Sequence, residues 1–149
     1  MSERRYTNRP DILLIEDNPD DVFFMREVFG KSSIPKTLHV VNDGEEALRY
    51  LRQQDPFEDA PRPSLIILDL KLPKMSGIDL LEQIKTNAQL RAIPVVVLTT
   101  SDADADATAT YDLHATAFIT KPKNLEDFAE VMQRIEAFWL NVVQLPPRY

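Results

Sequence analysis

The sequence predicts an α/β fold, a doubly wound sheet of five parallel strands with helices on both faces. Five short apolar runs alternate with five longer segments that are amphipathic or favour helix, which is typical of a parallel α/β sheet. Runs such as LIIL and VVVL are continuously apolar, as expected of central strands covered on both faces. Carboxylates directly follow two of these runs, and in the strand order 2-1-3-4-5 they would meet at one edge of the sheet.

The predicted strands are short and alternate with the predicted helices. LHVV alternates in polarity more than the other runs, which suits an edge strand. The strands are expected at Asp11–Ile15, Leu38–Val41, Leu65–Leu68, Val95–Leu98 and Ala117–Thr120.

Capping residues predict where the first helix begins. Asn18 can cap it, and Pro19 suits the first helical position. Asp20 and Asp21 complement the positive end of the helix dipole. These two acids are therefore expected to stabilise the first turn.

The other helices are placed by turn residues and apolar spacing. Two are expected after Asp43-Gly44 and after Ser76-Gly77, and a fourth at the Ala-rich and Asp-rich residues 102–112. The last is expected over residues 124–143. About twenty helical residues span ~30 Å, against ~17 to 20 Å for a typical strand, so its end should overhang the sheet.

Length and composition limit the classes of function. The 149 residues suit a single domain with a core from about residue 11 to 143, and no run approaches the ~18 apolar residues of a membrane span. The N-terminal segment carries arginines without an apolar stretch behind them, so we expect a cytoplasmic protein. The 17 basic and 24 acidic residues give a net charge of −7, which disfavours nucleic acid and anionic lipid as partners.

Acidic side chains are expected to converge at the carboxyl edge of the sheet. Glu16 and Asp17 follow the first apolar run and Asp69 follows the third, and these strands flank the point where strand order reverses. Two like charges ~4 Å apart repel by about 4 kcal/mol at an effective dielectric near 20, so the group should bind a cation or a proton. Oxygen ligands without a nearby His or Cys favour Mg²⁺ or Mn²⁺ over Zn²⁺.

Two further side chains fit phosphoryl transfer at this edge. Thr99 ends the fourth strand and Lys121 follows the fifth, which places a hydroxyl and an ammonium near the acids. Phosphoryl transfer requires positioning and charge neutralisation, which a metal, a Lys and a hydroxyl can provide. Asp69 would be the nucleophile and form an aspartyl phosphate.

Four motifs together resemble the receiver domain of two-component response regulators, whose flavodoxin-like fold has the predicted strand order. The motifs are IEDN at residues 15–18, LDLKLPKMSG at 68–77, VVVLTT at 95–100 and FITKP at 118–122.

The resemblance implies a role for each site residue. Asp69 is the implied phosphoacceptor, and Asp17 a direct Mg²⁺ ligand. Glu16, where Asp is commoner, would complete the acidic pair through metal-bound water. Lys71 would offer its backbone carbonyl to the metal. Lys121 would pair with the phosphoryl group, with a cis Lys121–Pro122 bond.

The resemblance also implies a switch. Thr99 would be the switch hydroxyl, and Phe118 the aromatic residue that changes rotamer with it. His114 stands where the family usually has Gly, so an altered turn is expected there.

The chain is most similar to single-domain regulators that serve bacterial phytochrome kinases. This likeness implies a sensor histidine kinase as phosphoryl donor, with a bacterial phytochrome as the candidate, and a homodimer involving the C-terminal helix region. The alternative for that region is a helix that folds back over its own core. The regulator would catalyse only its own phosphorylation and dephosphorylation.

Two other classes of protein are alternatives, and each needs a feature that this sequence lacks. A Mg²⁺-dependent phosphatase with an aspartyl nucleophile typically has a second Asp two positions later, where this chain has Lys71. A flavodoxin-like cofactor binder needs a hydroxyl-rich or Gly-rich phosphate loop after the first strand, where IEDNPDD would repel phosphate.

Overall fold

Five parallel strands form one sheet in the order β2-β1-β3-β4-β5, which confirms the predicted fold class and strand order. The computed structural model describes residues 10–100 and 112–142. Each strand lies within one residue of its predicted bounds. The strands are β1 (Asp11–Ile15), β2 (Thr37–Val41), β3 (Leu65–Leu68), β4 (Val95–Thr99) and β5 (Ala117–Thr120).

Capped helices follow the strands. Asn18 accepts hydrogen bonds from the backbone N–H groups of Asp20 and Asp21 and so caps the first helix, as predicted. The helix predicted at 102–112 lies outside the described residues apart from its last position. The described helices are α1 (Pro19–Gly30), α2 (Gly44–Leu51), α3 (Gly77–Lys85) and α4 (Leu125–Glu136), and the last three are capped by Asp43, Ser76 and Asn124.

The sheet separates two apolar cores. Leu13 and Ile15 of β1 pack in the core that includes α2 and α3, whereas Ile12 and Leu14 pack in the core that includes α1 and α4. Successive residues of a strand face opposite sides, so a central strand with both faces covered must be apolar throughout. The edge strand β2 is only partly buried, which agrees with its alternating sequence.

The C-terminal helix changes register at its end. Phe128, Met132 and Ile135 are three or four residues apart and are buried on one face of α4, whereas Leu125, in the first turn, is exposed. Beyond Glu136 the chain is π-helical over Ala137–Val142, and π-helical turns are rare enough that the apolar pattern did not predict them.

A buried ion pair joins the α1–β2 connection to the end of α4. Lys36 Nζ contacts Glu136 Oε2, and both side chains are almost fully buried. The same ammonium donates a 2.9 Å hydrogen bond to the Phe29 carbonyl oxygen.

No described helix is both long enough and apolar enough to cross a bilayer.

Candidate functional site

Strand register brings the predicted site residues to one edge of the sheet. Ile15 and Leu68 are paired in neighbouring parallel strands, so Glu16 and Asp69 leave the sheet side by side. The Asp69 N–H donates to the Ile15 carbonyl oxygen at 3.1 Å and fixes this relation. On the other side, the Lys121 N–H donates to the Thr99 carbonyl oxygen at 2.7 Å.

The Lys121 ammonium lies at the centre of the site. Nζ donates to Glu16 Oε1 at 2.7 Å, to Asp21 Oδ2 at 2.8 Å and to Asp69 Oδ2 at 2.9 Å. Lys121, Glu16 and Asp69 are all buried, while Asp21 is about a quarter exposed. An ammonium has three N–H donors, and each has a carboxylate partner here.

Both carboxylate oxygens of Asp69 accept hydrogen bonds. Oδ1 accepts the backbone N–H of Lys71 at 2.9 Å, and Oδ2 accepts Lys121. The chain after Asp69 is tied back by the Gly77 N–H, which donates to the Leu70 carbonyl oxygen at 2.9 Å. The Asp69 side chain is therefore fixed in orientation before any reaction.

Three carboxylates form a group suited to a divalent cation. One oxygen each of Glu16, Asp17 and Asp69 lie within 4.8 Å of one another. Asp17 is exposed and the other two are buried, so the group opens to solvent on one side. Carboxylate oxygens are the ligands that Mg²⁺, Mn²⁺ and Ca²⁺ prefer, so the donor set fits a hard divalent cation.

Burial and charge determine the protonation of the site. Burial raises the pKa of Glu16 from 4.5 to about 7; the Lys121 hydrogen bond opposes the rise and the Asp69 charge adds to it. Burial alone would lower the pKa of Lys121, but its hydrogen bonds to Asp21, Glu16 and Asp69 outweigh burial and raise it. Lys121 is therefore charged across the physiological range.

Thr99 and Phe118 lie on neighbouring strands near the same edge. Thr99 is the fully buried last residue of β4. Phe118 is half-buried and packs against the core on the α2 and α3 side. Their positions are compatible with the switch implied by the resemblance, which stays a prediction.

The structure also shows the backbone at two places where the resemblance implied a local feature, the Lys121–Pro122 bond and His114. The expectation of a cis Lys121–Pro122 bond is wrong, because this bond is trans in the structure. Trans is the lower-energy isomer of an X–Pro bond by about 0.5 to 1 kcal/mol, and Lys121 already reaches Asp69 without the cis form. His114 has φ 66°, so it holds the left-handed conformation that Gly would take there.

Asp21 is the site residue that the sequence did not predict. Its place in the first helical turn was explained by the helix dipole alone, yet its carboxylate accepts a hydrogen bond from Lys121. A usable signal was the start of α1 immediately after the acidic pair, since the first turn of such a helix must lie beside the strand end.

Comparison with known proteins decides the family. The model of the response regulator receiver domain matches residues 12–133. The chain belongs to this family. The phosphatase alternative finds no support in that match.

Similar receivers include cyanobacterial proteins. The chain is 47% identical over 135 residues to response regulator Rcp1 of Synechocystis sp., covering 91% of this chain and 92% of that protein. The crystal structure of Mn²⁺-bound Rcp1 superposes with a TM-score of 0.90 at 46% identity, covering 93% of this chain and 99% of that one. The phosphorylated cyanobacterial phytochrome response regulator RcpA has the same TM-score and coverage at 42% identity.

Proposed function

We propose that this receiver is a phosphorelay switch in which Asp69 accepts a phosphoryl group from a partner histidine kinase. The observation that carries the proposal is the fixed Asp69 carboxylate, with Oδ1 on the Lys71 N–H and Oδ2 on Lys121. The similar protein RcpA has been crystallised in phosphorylated form. The only reactions proposed for the receiver are its own phosphorylation and dephosphorylation.

The chain's own groups account for most of the transfer chemistry. Asp69 supplies the carboxylate oxygen that attacks phosphorus, while the bond from phosphorus to the donor breaks and its electrons leave with the donor. Lys121 then moves its hydrogen bond from Asp69 to a phosphoryl oxygen and neutralises charge there. Thr99 is proposed to hydrogen-bond a second phosphoryl oxygen.

The proposed cofactor is Mg²⁺, with Mn²⁺ able to replace it. Its ligands would come from Glu16, Asp17, Asp69 and the backbone carbonyl of Lys71. The cation would neutralise the charge of phosphoryl oxygens and screen the carboxylates from one another. Support comes from the three clustered carboxylates and from the Mn²⁺-bound structure of Rcp1.

Phosphorylation is proposed to change the surface near β4 and β5. Thr99 would be drawn toward the phosphoryl group, and the half-buried Phe118 would fill the space released. The new surface would then bind or release a protein partner.

The proposed kinase is a bacterial phytochrome acting in the cytoplasm. RcpA is a phytochrome response regulator, and a receiver of red light signalling in R. palustris matches with a TM-score of 0.85 at 32% identity. With a net charge of −7, neither nucleic acid nor membrane is a proposed partner.

A homodimer through the C-terminal helix region is proposed as well. Phe138 exposes half of its surface on the π-helical segment, and its ring meets Trp139 edge-on with centroids 5.0 Å apart. Trp139 is partly buried against the α1 and α4 core. Trp139 therefore packs on its own domain, whereas Phe138 is available for contact with a second copy of the chain.

Phosphotransfer from purified histidine kinases tests the function. We expect label to move from an autophosphorylated phytochrome kinase to the wild-type receiver faster than from kinases of other classes. The Asp69→Asn variant is the matched control and should take no label. Transfer from none of the kinases would favour a binding role that does not depend on phosphorylation.

A further inference from the structure

Asp21 contacts Lys121 from outside the group of carboxylates that fits a metal. Its Oδ2 accepts a 2.8 Å hydrogen bond from Nζ, and its side chain is 26% exposed. The carboxylates that cluster within ligand distance are those of Glu16, Asp17 and Asp69, without Asp21. Of the three partners of Lys121, Asp21 alone is needed by neither the cation nor the phosphoryl group.

A closed ring of hydrogen bonds fixes the Asp21 carboxylate. Lys121 donates to Glu16 Oε1, whose other oxygen accepts the Asn18 N–H at 3.2 Å. The Asn18 side chain caps α1 by accepting the Asp21 N–H at 3.3 Å, and Asp21 returns to Lys121. The cap that begins the helix thus also sets the direction of the Asp21 carboxylate.

Phosphorylation and cation binding would each change one of the three contacts of Lys121. Conversion of Asp69 to an acyl phosphate removes the charge of its carboxylate, and the hydrogen bond to Oδ2 must pass to a phosphoryl oxygen. Glu16 would be drawn toward a cation bound beside Asp17. The contact with Asp21 is the one that neither event disturbs.

We infer that Asp21 is a positioning residue for phosphoryl transfer, which keeps the Lys121 ammonium in place while its other two contacts are exchanged. The inference rests on the proposed function, since it assigns Asp21 a role in the same transfer to Asp69. Displacement of a catalytic group by about 1 Å can cost on the order of a hundredfold in rate. Loss of one of three anchors is therefore expected to cost about tenfold.

Acetyl phosphate as the donor provides the kinetic test. We expect Asp21→Ala to lower the maximal rate of phosphorylation about tenfold, with little change in the donor concentration that gives half the maximal rate. Asp21→Asn keeps an oxygen acceptor for Lys121 and should lie between Asp21→Ala and wild type. Asp20→Ala is the matched control, because it removes an exposed acid from the same helical turn, and it should resemble wild type.

Two kinetic results would overturn the inference. One is equal maximal rates for Asp21→Ala and Asp20→Ala. The other is a change confined to the half-maximal donor concentration, which would mean that Asp21 acts only through its charge on donor binding. If wild-type protein takes no phosphoryl group at all, the proposed function fails, a result distinct from either of these.

The Lys121 ammonium can be observed directly by nitrogen-15 NMR without phosphorylation. Hydrogen bonds to three carboxylates should slow exchange of its protons, and the signal is assigned by its loss in Lys121→Arg. We expect the signal to broaden in Asp21→Ala and to persist in Asp20→Ala and in Asp21→Asn. An unchanged signal in Asp21→Ala would show that Asp21 does not restrain Lys121 and would overturn the inference.

Discussion

Gly77 lies against Asp69 so closely that no side chain fits between them. A Cβ atom at Gly77 would lie 2.8 Å from the Asp69 carbonyl oxygen and 2.4 Å from the Leu70 Cα atom. The first residue of α3 therefore packs on the backbone that carries the proposed phosphoacceptor. Glycine permits this approach because it has no Cβ.

Gly77→Ala should displace the Asp69 backbone. We expect the unfolding free energy to fall by about 1 to 3 kcal/mol from overpacking. Phosphorylation by acetyl phosphate should slow by at least about tenfold from misplacement of the nucleophile. Gly30→Ala is the control, because a Cβ there has nothing within 4 Å. Similar behaviour of the two variants in denaturant titrations and rate assays would refute the packing explanation.

Removal of the exposed carboxylate should weaken metal binding without disturbing the core. Asp17→Asn replaces one of three clustered oxygen ligands, so we expect Mn²⁺ affinity to fall by at least about tenfold. Electron paramagnetic resonance of free Mn²⁺ measures this directly. Asp20→Asn removes the same charge outside the cluster and should change the affinity little. Equal losses in both variants would indicate attraction by net charge instead of a site.

The buried Lys36–Glu136 pair should be costly to break and inexpensive to replace. Lys36→Met leaves the Glu136 carboxylate buried without its cation, which we expect to cost about 3 to 5 kcal/mol in urea unfolding. The double variant Lys36→Met with Glu136→Leu should recover most of that loss.

An exposed ion pair on the same helix provides the comparison for this cycle. Arg134 Nη2 lies 2.7 Å from Glu130 Oε1, and both side chains are largely exposed. Breaking that pair should cost only about 0.3 to 0.5 kcal/mol. A double variant no more stable than Lys36→Met would contradict the expectation that the unpaired buried Glu136 carboxylate causes the loss.

The cap of α2 should make stability sensitive to acid. The Glu46 N–H donates to Asp43 Oδ1 at 2.8 Å, and this hydrogen bond, aided by Lys74, lowers the pKa of Asp43 below its ordinary 3.8. The folded state then binds this proton less tightly than the unfolded state. The stability that the charged Asp43 contributes is therefore present above about pH 4 and is lost as pH falls through its pKa in the folded state.

The matched variant for this test is Asp43→Asn, which keeps an oxygen at the cap and does not titrate. In urea unfolding we expect wild type to lose stability relative to Asp43→Asn as pH falls from about 5 to 3. A stability difference that stays constant over that range would contradict the role given to Asp43.

The fold was predictable because its determinants are local. The continuously apolar β3 and β4 indicated central strands, and Asn18 and Ser76 marked helix starts correctly. The edge position of the acids followed from strand order, since parallel strands end on one side of the sheet.

Side-chain contacts between residues far apart in the sequence were not predictable in the same way. Asp21 already had a sufficient local explanation in the helix dipole, although its contact is 100 residues away. Lys36 and Glu136 meet only because the end of α4 packs beside the α1–β2 connection. The trans Lys121–Pro122 bond differs from the expectation because family likeness does not fix an isomer whose alternatives differ by about 1 kcal/mol.

The central claim is that Asp69 is the phosphoacceptor, and intact-mass measurement after incubation with acetyl phosphate and Mg²⁺ tests it most directly. We predict that wild-type protein gains one base-labile phosphoryl group and that Asp69→Asn gains none. Asp79→Asn, an exposed acid on α3, should be phosphorylated like wild type. Phosphoryl addition to Asp69→Asn at the wild-type level would contradict the assignment.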